Sequence, residues 1–302
     1  MKREHRAAPA APADALADVL RPGQSVALLK ELHILTRDGK LNQDSRRKLK
    51  QVYHLFQFIE KLIQDLPASE APLTLADHGA GKSYLGFILY DLFFKNQSAS
   101  HIYGIETRPE LVARSAALAA QLGFGRMSFL NLTVAESAAS AQLPAQVDVV
   151  TALHACDTAT DDAIEFGLQK RARAFALVPC CQAEMARHLN HNKALSLAAT
   201  PLAELWRHPL HTRELGSQVT NVMRCLYLEA SGYHVTVTEL VGWEHSMKNE
   251  LILARYTGQR KRAAAQRLME ILASFGLQSW GAARFARLYG APSETQADAQ
   301  AT

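Results

Sequence analysis

The 302-residue sequence has few cysteines, no long apolar run and no pattern typical of a metal site. Its four cysteines are too few for a disulfide framework, and none follows the Cys-x2-Cys or Cys/His spacing of zinc sites. No apolar stretch approaches the roughly 18 residues of a membrane-spanning helix. Prolines interrupt the opening MKREHRAAPAAPADA, where a secretory signal has a continuous apolar segment. We therefore expect a cytoplasmic protein with reduced thiols, no metal and no membrane partner.

The overall composition is that of a globular protein with a slight excess of positive charge. Hydrophobic residues make up 48% of the chain, and the mean hydropathy is -0.10. This length and apolar content suit one large domain or two modest ones. The formal net charge of +4 and the isoelectric point near 8.9 favour polyanionic partners only weakly. The composition does not indicate an oligomeric state.

The chain divides into five segments by composition and periodicity. Residues 1–13 and 291–302 are small or polar and are predicted to be disordered tails. Residues 14–70 have a helical pattern, and 259–290 are predicted to form terminal helices over 261–277 and 282–288. An amphipathic helix of about six turns, with Ser45 as N-cap, is predicted from apolar residues at three- and four-residue steps. These residues are Leu49, Val52, Phe56, Ile59, Leu62, Ile63 and Leu66.

The central segment, residues 71–258, alternates short apolar runs with helical stretches. This alternation predicts repeated strand–helix units and a mostly parallel sheet. The last two runs are joined by a short connection and are predicted to form an antiparallel hairpin. The expected fold is a Rossmann-like α/β sheet of seven strands with an antiparallel terminal hairpin, as in class I S-adenosylmethionine (SAM) methyltransferases. The predicted strands are 73–76, 101–105, 127–130, 147–153, 174–178, 233–241 and 251–256.

The segment LADHGAGKSYLG, residues 75–86, allows two interpretations. Its spacing A-x4-G-K-S nearly matches a P-loop, which binds nucleotide phosphates. However, Ala76 replaces the first glycine of that motif and belongs to the predicted strand. The P-loop also needs an apolar strand that ends in an acidic residue, and Asp157 is poorly placed for this role. The P-loop interpretation is therefore disfavoured.

The same segment also has the spacing of a nucleoside-cofactor loop, Asp77-x-Gly79-x-Gly81. Such a loop needs a carboxylate after the second strand to accept hydrogen bonds from the ribose hydroxyls, and Glu106 follows Gly81 by 25 residues. Glycines allow the backbone to approach the ligand closely. Asp77 suits the cationic methionine end of SAM. The predicted cofactor-binding residues are Asp77, Gly79, Ala80, Gly81, Glu106 and Leu153.

Three further segments indicate a particular family: LHACDTATD at 153–161, VPCCQ at 178–182 and KNELILA at 248–254. Together with DHGAGKSYL they resemble the methyltransferase domains of the glutathione-S-transferase-C-terminal-domain-containing protein and related methyltransferase-like proteins. The resemblance covers about residues 73–256 and implies a SAM-dependent methyltransferase with SAM bound at the residues named above. Ser83 and Asp157 depart from the family, which has glycine at both positions.

The turn after the fourth strand faces the methyl group and the substrate in class I enzymes. His154, Cys156 and Asp157 are therefore the predicted catalytic residues, and His154 is suited to taking a proton from an oxygen or nitrogen nucleophile. A histidine that caps the strand explains the same position equally well. Asp161 is predicted to be an N-cap or first-turn residue of the following helix.

Basic residues near the start of the long N-terminal helix suggest an RNA substrate. Cations are unfavourable there because of the helix dipole, so a phosphate backbone is a plausible compensating partner. Lys40 and the Arg-Lys-Arg cluster at 260–262 would widen this surface if they lie on the same face. A solvated basic surface, or a lid over the SAM site, is the alternative. The predicted substrate-binding residues are Arg46, Arg47, Lys48, Lys50, Pro179, Cys180 and Cys181.

The sequence does not determine which molecule accepts the methyl group. RNA, such as rRNA or tRNA, is the preferred acceptor, and proteins, small molecules or binding without turnover are the alternatives. Cys180 and Cys181 follow the fifth predicted strand, whereas the covalent Pro-Cys nucleophile of RNA 5-methylcytosine enzymes follows the fourth. No cation lies nearby in the sequence to lower a thiol pKa. A packing or pocket-lining role is therefore favoured over a covalent one.

Overall fold

The structure is a computed structural model that describes residues 19–153, 158–179, 183–192, 200–240 and 250–290. The two predicted tails, 1–13 and 291–302, lie outside the described residues. The same holds for 154–157, which contain the predicted catalytic residues, and for 180–182.

The core is a seven-stranded sheet with the order β3-β2-β1-β4-β5-β7-β6. Strands β1 to β5 are parallel, and β7 is antiparallel to both β5 and β6. This arrangement confirms the predicted mostly parallel sheet with a terminal hairpin. The strands are β1 (Thr74–His78), β2 (His101–Glu106), β3 (Met127–Asn131), β4 (Val149–Leu153), β5 (Ala174–Val178), β6 (Tyr233–Glu239) and β7 (Glu250–Tyr256).

Helices cover both faces of the sheet, so its central strands are apolar on both sides. On β4, Val149 packs into the core of one face and Val150 into the core of the other. The helices are α1 (Val26–Glu31), α2 (Gln43–Gln64), α3 (Tyr84–Leu92), α4 (Pro109–Gln121), α5 (Val134–Ala139), α6 (Thr158–Gln169), α7 (Ala183–Asn192), α8 (Pro209–Ala230), α9 (Arg262–Ser274), α10 (Gln278–Arg284) and α11 (Ala286–Gly290), with 3-10 turns at Phe94–Asn96 and Pro201–Trp206. No helix in these ranges is long and apolar enough to cross a membrane.

Helix α2 is the predicted six-turn amphipathic helix, but its N-cap is Asn42 and not Ser45. The Asn42 side chain accepts a hydrogen bond of 2.7 Å from the backbone N–H of Ser45, which lies inside the helix. Both residue types are good N-caps. The helix therefore starts at Gln43, three residues earlier than expected, and its first two residues, Gln43 and Asp44, are exposed.

The C-terminal end of α2 lies at one edge of the sheet. The helix ends before Pro67, whose carbonyl oxygen accepts a hydrogen bond from Arg173, just before β5 begins. This is the amino edge, where β1 to β5 start. The opposite edge, where β1 to β5 end, is the carboxyl edge.

The C-terminal helices differ from the prediction in one respect. A single helix was expected over 282–288, but the structure has two short helices that meet at Phe285. Phe285 is 1% exposed and leaves helical geometry so that its ring packs against Tyr227 and Trp280. Burial of this ring in the core therefore outweighs the local helical periodicity.

Candidate functional site

The turn between β1 and α3, residues 79–83, is the glycine loop of the site. Gly79 and Gly81 have φ angles of +61° and +57°, which glycine adopts without strain. The backbone N–H of Ala80 donates to the carbonyl oxygen of Ile105, so the loop is fixed to the end of β2. A Cβ on Gly81 would meet nothing in the protein closer than 3.9 Å. Gly81 is therefore needed for its backbone conformation, because a Cβ there would make only ordinary contacts.

Glu106 ends β2 and lies against the glycine loop, as the sequence spacing predicts. Its Oε2 accepts a 2.8 Å hydrogen bond from the backbone N–H of Gly81, and its Oε1 accepts one of 3.1 Å from that of Arg108. The Arg108 side chain, which the sequence analysis did not consider, also donates to both oxygens. Burial acts to raise the pKa of Glu106, but the hydrogen bonds from Arg108 and Gly81 outweigh it and lower the pKa. Glu106 is therefore ionised at neutral pH.

These contacts argue against the P-loop interpretation. A P-loop directs its backbone N–H groups toward phosphates. Here the N–H of Gly81 donates to a carboxylate, whose negative charge would repel a phosphate at the same position. Ala76 lies inside β1, so it does not start the loop.

Asp77, the predicted partner of the cationic methionine end, is almost fully buried at the end of β1. Its Oδ1 accepts a 2.7 Å hydrogen bond from the hydroxyl of Thr151 on β4, and the backbone N–H of Gly86 also donates to this carboxyl. Burial raises the pKa of Asp77 to about 7. The carboxyl is held by β4 and α3, and its contact with a cofactor stays a prediction.

His78 is a buried titratable residue of the site that the sequence analysis missed. Side chains alternate along a strand, so His78 lies on the opposite face from Asp77, with its ring 4.2 Å from that of Phe166 on α6. Neither ring nitrogen has a hydrogen-bond partner within the described part of the chain. Burial lowers the pKa of His78 to about 3, so the ring is neutral. Its position next to Asp77 in an otherwise apolar strand was the only sequence signal.

The ends of β4 and β5 complete the carboxyl edge. Leu153, a predicted cofactor contact, pairs in register with Val178, and buried Pro179 follows directly. In doubly wound folds, ligands bind in the crevice outside this edge. The predicted catalytic residues His154, Cys156 and Asp157 lie outside the described residues, as do Cys180 and Cys181. Their roles stay predictions.

A buried ion pair holds the helix that follows the predicted catalytic turn. Asp161 lies in the first turn of α6, as expected, and accepts a 2.5 Å hydrogen bond from Arg224 on α8. Arg224 is fully buried and also donates to Asn221, whose amide bonds to Glu250 at the start of β7. The network therefore ties the segment after β4 to the beginning of β7.

Two of the four predicted basic residues line a groove along the first turns of α2. We call it the basic groove; it has a volume of about 630 Å³ and is lined by Val19, Arg46, Leu49, Lys50, Tyr53, His54 and Gln57. Arg47 is exposed but does not line the groove. Lys48 pairs with Asp44 at 2.8 Å and donates to the carbonyl oxygen of His33. Asp44 therefore offsets part of the unfavourable helix-dipole interaction on its own.

Arg260, from the Arg-Lys-Arg cluster at 260–262, lies at a separate cavity. Arg260 follows β7 and lines a cavity of about 990 Å³ at the amino edge, together with Arg171, Arg173 and Arg287. We call it the amino-edge cavity. It shares no lining residue with the basic groove, and one continuous basic surface stays a prediction.

The described residues contain no group of three or more histidine, cysteine, aspartate or glutamate side chains that could hold a metal ion.

Residues 47–188 match the model of a family described as a methyltransferase domain. The matched segment includes β1 to β5, the glycine loop and Glu106. With the strand order of the sheet, it defines the chain as a SAM-dependent methyltransferase, with SAM as the methyl donor. No curated protein matches the chain. The narrower resemblance to the domain of the glutathione-S-transferase-C-terminal-domain-containing protein stays a prediction.

Several solved methyltransferase structures are similar in fold. A putative O-methyltransferase from Klebsiella pneumoniae shares 11% identity over 81% of this chain and 95% of its own, with a TM-score of 0.48. The methyltransferase PaMTH1 of Podospora anserina, bound to S-adenosylhomocysteine (SAH), shares 12% identity over 81% and 93%, with a TM-score of 0.46. The CMeT domain of a citrinin polyketide synthase shares 16% identity over 72% of this chain, which spans 55% of that domain, with a TM-score of 0.45.

Proposed function

We propose that the protein transfers a methyl group from SAM to RNA, with rRNA or tRNA as the acceptor. The basic groove carries this proposal: Arg46 and Lys50 lie beside Tyr53 and His54 on the first turns of α2. Cations bind phosphates and aromatic rings stack on bases, and proteins that bind single-stranded nucleic acid combine both contacts.

The residues at the carboxyl edge suit SAM. When bound, SAM supplies a methyl group that its positive sulfonium makes electrophilic. Glu106 is the proposed partner of the ribose hydroxyls, and the backbone of residues 79–81 beside it is the proposed contact for the rest of the nucleoside. Leu153 offers an apolar contact at the end of β4. Because the pKa of Asp77 is about 7, a nearby cationic group would favour its ionised form and strengthen the attraction.

The chemical requirements of methyl transfer are modest, since the acceptor atom must mainly be aligned in line with the methyl group. We assign proton removal from the acceptor to His154, with Cys156 and Asp157 in the same turn. The ion pair of Asp161 with Arg224 supports this assignment because it fixes the helix that begins directly after the turn. Pro179, with Cys180 and Cys181, is proposed to line the acceptor pocket.

The decisive experiment combines radiolabelled SAM with fractionated cellular RNA and protein. We expect label in RNA, and RNA affinity that falls steeply with salt. Charge reversal at the groove, Arg46→Glu with Lys50→Glu, should lower RNA affinity at least tenfold and flatten the salt slope by about two, because two phosphate contacts are lost. SAM affinity should stay within a few-fold. The matched control is Arg262→Glu with Arg267→Glu, two exposed arginines on α9.

Each alternative gives a different result in this experiment. Label in protein or in small molecules would replace RNA as the acceptor class. Binding of SAM and RNA without label would indicate a module that does not turn over. If RNA affinity falls equally in the α9 control, the effect is one of net charge and the basic groove is not the acceptor site.

A further inference from the structure

The Arg108 side chain is hydrogen-bonded to the carboxylate of Glu106, which is proposed to bind the ribose. Its Nε lies 3.0 Å from Oε1 of Glu106, and its Nη2 lies 3.3 Å from Oε2. The backbone N–H of Arg108 donates to Oε1 and that of Gly81 to Oε2. A carboxylate offers about four lone-pair positions, and these four donors fill them, with the Thr107 hydroxyl at 3.4 Å from Oε1 as a fifth, longer contact. As arranged, Glu106 has no acceptor position left for a hydroxyl group.

Of the donors within 3.3 Å, only the Arg108 guanidinium can leave without disturbing the fold. The N–H of Gly81 belongs to the glycine loop, and the N–H of Arg108 lies in the residue that caps α4. The Arg108 side chain, in contrast, is 59% exposed and is held by Glu106 alone among the hydrogen bonds described for it. The charge of Glu110, in the first turn of α4, also acts on Arg108 and offers an alternative partner.

We propose that Arg108 determines cofactor affinity by competing with the ribose hydroxyls of SAM for Glu106. This inference rests on the proposed role of Glu106 as the ribose ligand. Binding moves the guanidinium away from both carboxylate oxygens, and the two hydroxyls take its place as donors. The negative charge of Glu106 is thus paired in the free protein and becomes available to the cofactor only at the expense of the ion pair.

Calorimetry with SAH tests the competition, because SAH has no net charge at neutral pH. Arg108→Met keeps the aliphatic stem and removes the competing donors. We expect it to bind SAH about two- to fivefold more tightly, the range that corresponds to an exposed ion pair. Arg114→Met, an exposed arginine on the same helix, is the matched control and should leave the affinity unchanged.

Two further measurements separate competition from a structural effect. Salt screens the Arg108–Glu106 pair, so SAH affinity of the natural protein should rise with ionic strength, whereas that of Arg108→Met should not. The 2′,3′-dideoxy analogue of SAH has no hydroxyls to donate to Glu106. Its affinity should therefore be the same in both proteins, which a general change of the loop would not produce.

Glu106→Gln distinguishes failure of this inference from failure of the cofactor site. If Glu106→Gln leaves SAH affinity unchanged, Glu106 is not the ribose ligand and both proposals fall. If Glu106→Gln weakens SAH binding but Arg108→Met weakens it or leaves it unchanged, the ribose site stands and the competition is overturned. Tighter binding in Arg108→Met that is lost in the Glu106→Gln background supports the inference.

Discussion

The two edges of the sheet differ in how they hold their charged side chains. At the amino edge, arginines line a large open cavity and form partly exposed ion pairs: Arg173 bonds to Asp148, and Arg287 bonds to Glu165. At the carboxyl edge, Asp77 and His78 are almost fully buried, and burial shifts the pKa of each strongly.

This difference shows which features locate the functional edge. The amino-edge cavity is larger than the basic groove and more strongly cationic, yet Arg173 and Arg287 in its lining are paired with Asp148 and Glu165. The carboxyl edge has two buried titratable groups, Asp77 and His78, at the end of β1. Strongly shifted pKa values cluster at functional sites, whereas cavity size alone does not mark one.

The largest expected effect is on the free energy of unfolding, which should depend far more on a buried ion pair than on a partly exposed one. Arg224→Met leaves the carboxylate of Asp161 buried without its partner and should lower the free energy of unfolding by about 3–5 kcal/mol. Arg287→Met breaks a partly exposed pair with Glu165 and should cost less than about 1 kcal/mol. Urea denaturation measures both values. Similar losses in the two variants would remove the distinction between the edges.

The next prediction concerns the pH dependence of stability at the end of β1. Between about pH 4 and 6.5 the unfolded chain has an ionised Asp77 and a protonated His78, because their ordinary pKa values are 3.8 and 6.5. In the folded protein both side chains are neutral in this window. The unfolded state thus binds one proton fewer at Asp77 and one more at His78, so the two contributions to the slope cancel.

Single variants should reveal the two slopes. In Asp77→Asn only His78 remains, and stability should rise by about 1.4 kcal/mol per pH unit relative to the natural protein. In His78→Phe only Asp77 remains, and stability should fall by the same amount per unit up to about pH 7. Urea denaturation at half-unit pH steps measures the slopes. Parallel curves for all three proteins would contradict the burial of these groups.

Much of the site follows from sequence because its elements are local. A buried strand, a glycine turn and a carboxylate after the next strand are brought together by any parallel sheet, so the position of Glu106 beside Gly81 was predictable. The competition by Arg108 was not, since a side chain two residues away has many possible rotamers. The position of Arg260 in a cavity separate from the basic groove has a different cause, since only the tertiary arrangement decides which cavity a residue lines.

The smallest expected effect concerns Ser83, which ends the glycine loop and departs from the glycine typical of the resembling family. Ser83 has a φ of +51° and is fully buried, and its hydroxyl has no hydrogen-bond partner in the described part of the chain. A left-handed backbone costs a residue with a Cβ about 1–2 kcal/mol, and an unsatisfied buried hydroxyl about 1–3 kcal/mol. Glycine removes both costs but gains freedom in the unfolded chain and leaves a small void. We therefore expect Ser83→Gly to stabilise the protein by about 1 kcal/mol.

Two controls separate the causes of this stabilisation. Ser83→Ala removes the hydroxyl and keeps the Cβ in its left-handed conformation, so it should recover only part of the gain. Ala99→Gly changes an exposed left-handed residue, with a φ of +62°, at the amino edge, so it measures the backbone contribution alone. Thermal unfolding of the three variants gives the comparison. If Ser83→Gly stabilises no more than Ala99→Gly, the buried hydroxyl costs nothing, and a loss of stability in Ser83→Ala would mean that the hydroxyl has a partner that holds the loop.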